Sequence, residues 1–128
     1  MNTQKRSFRI YINGKKVPGP AITNEDRLFC HLEEIDLREA HLMLREGDCD
    51  WTQISVGQWL KTYCEGKLSE SESAKRYVER TAVGDLAELG QAFIKHWNSR
   101  IDHWNYNLDV AGKLIELEGR EVAKEATS

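Results

Sequence analysis

Proline is nearly missing from the chain: of 128 residues only Pro18 and Pro20 are proline, and both lie near the beginning. Everything after Pro20 lacks the strongest helix breaker, so long helices are permitted there. Cysteine is sparse and odd in number, with Cys30, Cys49 and Cys64. A secreted disulfide framework uses an even and denser set, so a reducing compartment is expected. No run approaches the ~18 apolar residues of a membrane span, and the opening MNTQKRSFRI has no apolar core of the signal-peptide kind. The expected location is cytoplasmic, without a membrane partner.

Positive charge is also short. The net charge is −3, whereas a nucleic-acid binder usually shows a basic excess or patch, because phosphate contacts supply much of the affinity. The basic cluster is N-terminal: Lys5, Arg6, Arg9, Lys15 and Lys16. The middle is acidic, with Glu33, Glu34, Asp36, Glu39, Glu46, Asp48 and Asp50. Nucleic-acid binding by the whole domain is therefore disfavoured, and a local basic arm remains as the alternative.

Signatures of chemistry are missing as well. The nine glycines are scattered and make no phosphate loop. The four histidines (His31, His41, His96, His103) and three cysteines show no CxxC or HExxH spacing. His96 and His103 stand ~10 Å apart along a helix axis, too far to share one ion directly. The stretch Val56-Gly57-Gln58-Trp59-Leu60 resembles a few residues of the bacterial chemoreceptor zinc-binding domain, whose motif is Cys-x-Leu/Phe-Gly-x-Trp. Ile54 stands where that motif has its ligand cysteine, so the resemblance implies no zinc site here. No catalytic residue, metal or cofactor is expected, and the chain does not read as an enzyme.

Hydrophobic residues make up 40% of the chain and four of them are tryptophan, sufficient for a core. Phe8, Ile10 and Ile12 alternate with Arg9 and Tyr11, and Asn13-Gly14 follows at once. Both of those residues tolerate positive φ, so a hairpin with a type I′ turn is predicted, its return strand running Lys15 to Val17. A two-stranded hairpin is marginal alone and must dock on helices or pair with another strand. Asn24 is a predicted cap for a helix over 25–46 that carries Leu28, Leu32 and Ile35, and then Ala40, Met43 and Leu44 after a break at Asp36. Asp50 with Gln53, and Ser69 with Glu72, have capping-box form and predict helices over 51–65 and 70–83, separated at Gly66.

The last segment is the most regular. Leu86, Phe93, Trp97, Ile101, Trp104, Leu108, Ala111, Ile115 and Val122 recur at three, four or seven residues, the seam of a coiled coil or bundle. The predicted helix covers 85–122, ~57 Å at the helical rise. Asn105-Tyr106-Asn107 and Gly112 are its weakest points. Within it, His96-Trp97-Asn98 recurs two turns later as His103-Trp104-Asn105, which puts the two tryptophans on one face. Tryptophan is favoured at interface hot spots and equally at seam positions of a core.

The fold expected is mainly α (α+β): a single domain, 1–128, with an N-terminal hairpin arm (1–22), short helices (24–83), a long C-terminal helix (85–122) and a frayed tail (123–128). The function expected is a non-enzymatic adaptor, inhibitor or assembly factor. It binds a protein partner or itself, as a homodimer, through Trp97, Trp104, Ile101 and Leu108 with His96, Arg100 and His103 on the rim. The alternative is a small transcriptional regulator that holds nucleic acid with Lys5, Arg6, Arg9, Lys15 and Lys16.

Overall fold

A computed structural model describes residues 5–127, with side chains described through Gly119. Strand β1 (Arg6–Ile12) turns through Asn13 and Gly14 into β2 (Lys15–Lys16). Asn13 and Gly14 have φ of 52° and 79°, the paired positive values that a type I′ turn requires. The hairpin grows into a four-stranded antiparallel sheet of order β2-β1-β3-β4, with β3 at Ala40–Glu46 and β4 at Thr52–Ile54. β1 and β3 pair over seven positions, from Arg6↔Glu46 to Ile12↔Ala40. That pairing meets the hairpin's need for another strand.

Helix α1 (Glu25–Glu33) starts where predicted. Asn24 Oδ1 accepts from the backbone N–H of Asp26 at 2.8 Å and of Arg27 at 3.2 Å. The helix stops at Glu33, so the second half of the predicted 25–46 helix is corrected to a turn and a strand. Asp36 is the reason for the turn. Its carboxylate accepts from the Arg38 backbone N–H at 3.0 Å and from the Arg38 guanidinium at 2.9 Å, bending the chain locally rather than capping a helix. From Ala40 the residues alternate: Leu42 and Leu44 are buried, while His41, Met43 and Arg45 are only partly covered. Pairing with β1 selects that period of two over the helical spacing of Ala40, Met43 and Leu44.

The predicted helices over 51–65 and 70–83 are one helix, α2 (Val56–Thr81). Residues 52–54 belong to β4, and the cap is Ser55, whose Oγ accepts from the Gln58 N–H at 3.0 Å. Gly66 lies inside α2 and is exposed, with its missing side chain facing open space, so the helix runs through it. A 3-10 turn (Gly84–Leu86) then leads into α3 (Ala87–Thr127), 41 residues long. This helix is unbroken at Asn105–Asn107 and Gly112, and it continues past the predicted end at Val122. The chain is an α+β fold with an N-terminal hairpin and a long C-terminal helix.

Two compact units make up the chain: residues 1–59 with 113–128, and residues 60–112. In the first, Phe8, Ile10, Leu42 and Leu44 point from one sheet face into a core shared with Leu28, Phe29, Leu32, Val56 and Trp59. Phe8 and Trp59 meet edge to face at 6.0 Å, and the Trp59 indole N–H donates to Glu25 Oε1 at 2.9 Å. Glu118 accepts from the Gly57 backbone N–H at 2.9 Å and from the Ser55 hydroxyl. A carboxylate thus sits at the α2 N-terminus, where the helix dipole favours negative charge. The second unit is an αα-hairpin made by the later part of α2 and the first part of α3.

Candidate functional site

The αα-hairpin carries most of the residues singled out by sequence. Trp104 is buried, 4% exposed, with its ring edge to face with Tyr63 at 5.9 Å. Arg100 lies over the Trp104 ring at 5.2 Å and Lys67 over Tyr63 at 5.5 Å, so cations border this aromatic pair. His103 packs edgewise on Trp104 at 4.7 Å, and Asn107 donates to the His103 carbonyl at 2.9 Å. His96 makes the same edgewise contact with Trp97 at 5.0 Å. Trp97, Ile101, His103 and Leu108 are half-buried, and His96 and Arg100 are exposed. The two tryptophans of the repeat are therefore unequal: Trp104 is a core residue, and Trp97 retains surface.

Coverage of the α3 stripe falls off toward the turn of the hairpin. Gly90 is buried, and a Cβ there would lie 2.2 Å from the Ala82 Cβ, so small residues bring the helices together near the turn. Close approach of this kind leaves large neighbours at the flanks. Tyr77, Val83, Leu86, Leu89 and Phe93 are 60%, 65%, 54%, 56% and 48% exposed. All five lie within two turns of the helix–helix connection; Leu89 and Phe93 share a face of α3 by their spacing of four, and Leu86 ends the 3-10 turn three residues before Leu89. Sequence periodicity had placed Leu86 and Phe93 on the stripe. It did not single out Val83 or Leu89, although Leu89 is three residues beyond Leu86.

The N-terminal cations form no free arm. Arg6 lies over the Phe8 ring at 5.3 Å and within 3.5 Å of Glu25 Oε1. Arg9 lies over the Trp51 ring at 4.2 Å. Lys15 and Lys16 are exposed in β2, and the Lys5 carbonyl accepts from Gly47 N–H at 2.9 Å. On the sheet face opposite the core, β1 presents Ser7, Arg9 and Tyr11, and β3 presents His41, Met43 and Arg45. Lys16 stands opposite Tyr11, and Gln53 opposite Met43. The Tyr11 and His41 rings stack at 5.1 Å and 11°. Sequence reasoning missed His41, Arg45 and Trp51 as members of this face because it read residues 40–46 and 51–54 as helix.

Cys30 and Cys49 are exposed and Cys64 is buried. Among the described residues no group of three or more His, Cys, Asp or Glu side chains is placed to hold a metal ion, and no helix is long and apolar enough to cross a membrane. No protein-family model, curated protein or solved structure matches this chain.

Proposed function

We propose that this chain is a non-enzymatic protein-binding module, an adaptor, inhibitor or assembly factor, that uses the αα-hairpin to bind a protein partner or a second copy of itself. The observation that carries the reading is the set of five large apolar side chains exposed by about half or more around the hairpin turn. Scattered exposed apolar residues are ordinary, whereas a group of this size marks an interaction surface. Phe93 and Tyr77 supply the aromatic area that interface hot spots use. Trp97 extends the same α3 stripe, with His96 and Arg100 as its polar rim, and Trp104 supports it from the core. A cytoplasmic location accords with a cysteine set that is small and odd in number.

A photo-crosslinking residue at Leu89, expressed in the native host, tests this reading against the same residue at Tyr106, which is 69% exposed away from the group. The expected result is one discrete adduct from position 89, either a dimer of the chain or one partner, and none from position 106. Phe93→Glu should abolish the adduct while leaving the circular dichroism spectrum unchanged. Equal or absent cross-linking at the two positions rejects the reading.

A further inference from the structure

We propose that the sheet face opposite the core binds single-stranded nucleic acid, with Tyr11, His41 and Trp51 stacking on bases and Arg9, Lys16 and Arg45 meeting phosphates. This goes beyond the protein-binding reading and uses a different part of the chain.

The register places the residues. Tyr11 of β1 pairs with His41 of β3 on one side and with Lys16 of β2 on the other. Two residues earlier in β1, Arg9 pairs with Met43 and lies over Trp51 at 4.2 Å. The face therefore carries two aromatic groups, the stacked Tyr11–His41 pair and Trp51 beneath Arg9, each a platform for a base. Tyr11, His41 and Trp51 are each partly exposed.

Charge on the face points the same way. None of the positions Ser7, Arg9, Tyr11, Lys16, His41, Met43, Arg45 and Gln53 is a carboxylate, although the whole chain is net negative. Arg45 comes only within 3.9 Å of Asp48, a fully exposed carboxylate, and its Nε is buried without a hydrogen-bond partner among the described residues. The Nε is closed to solvent, but the side chain is 39% exposed, so the terminal guanidinium nitrogens are what an anion can reach. Aromatic side chains interleaved with cations, without rigid base-edge donors, are the chemistry of sequence-tolerant single-strand binding. A duplex keeps its base faces covered and gains only from the cations.

The experiment is fluorescence anisotropy of end-labelled fifteen-residue oligothymidylate and oligouridylate with the full chain at rising salt. A duplex and an abasic strand of the same length serve as controls. Both single strands should bind, with a salt slope near −2 if about three phosphates are neutralised at ~0.7 each. The abasic strand and the duplex should bind about tenfold more weakly or worse, since stacking is worth that much per base. Tyr11→Leu with His41→Leu should cost about tenfold on the normal strand and nothing on the abasic one. Arg9→Gln with Arg45→Gln should flatten the salt slope, and Phe93→Glu should change nothing. Equal binding of abasic and normal strands by the unaltered chain overturns the proposal, as does equal binding of the duplex or no binding at low salt. That comparison needs no variant, so a misfolded mutant does not obscure it.

Discussion

Gly57 has no room for a side chain. A Cβ there would lie 2.7 Å from Ile115 Cγ1 and 2.9 Å from the Ile115 backbone nitrogen, and backbone does not yield as a side-chain tip does. Gly57→Ala should cost about 1–3 kcal/mol, the range for overpacking, read from urea denaturation. Glu118 acts at the same place by hydrogen bonding, so Glu118→Ala leaves the Gly57 N–H without its acceptor and should cost about 1–2 kcal/mol. Asp36 shows a residue-scale effect of pH. The hydrogen bonds from the Arg38 guanidinium, then from its backbone N–H, hold the Asp36 carboxyl below its ordinary value. A depressed folded-state pKa means that the contact is present above the ordinary aspartate range and is lost as pH falls through the lowered value. The Arg38 amide resonance should therefore titrate at a pH below that of a free aspartate, and Asp36→Asn should remove the titration.

At the scale of elements, two glycines in helices have opposite consequences. Gly66 lies exposed inside α2 with open space where its Cβ would be, so Gly66→Ala should stabilise the protein by about 1 kcal/mol. Gly90→Ala drives a Cβ onto Ala82 and should weaken the αα-hairpin, seen as faster amide exchange over 74–94. These two residues also show what was legible. Gly66 read as a helix stop because glycine is a poor helix former, a preference of at most ~1 kcal/mol that the packing of the flanking turns overrides. The β1–β2 turn and the Asn24 cap were legible because each is a local event, set by two positive φ values and by one side-chain acceptor. Strand β3 was not. Its residues satisfy both periods, and what selects the strand is a partner nearly thirty residues or more away in β1.

For the whole molecule, the exposed apolar residues around the hairpin turn are a surface property and should be separable from stability. Leu86→Ser, Leu89→Ser and Phe93→Ser together should abolish binding of an environment-sensitive hydrophobic dye. Each side chain is already about half exposed, so the cost in stability should be small, roughly 0.5 kcal/mol or less apiece. The seam of α3 was visible as a repeat of three and four, whereas its continuity through Asn105–Asn107 and Gly112 was not, because asparagine and glycine are poor helix formers whose cost packing overrides. Its use was not visible. One spacing puts Trp104 against Tyr63 and leaves Phe93 in solvent, because burial depends on what stands opposite. The N-terminal cations were visible as a cluster, but only strand pairing joins Arg9 and Lys16 to Tyr11, His41 and Arg45 and ties Arg6 to Glu25. The sequence by itself determined the local events: the turn at Asn13-Gly14, the start of α1, the long amphipathic α3 and the α+β class. Tertiary structure decided the identity of β3 and β4, the fusion of α2, and which apolar and charged side chains remain available. The physical reason is range: turns and caps close within a few residues, whereas pairing and burial require partners distant along the chain.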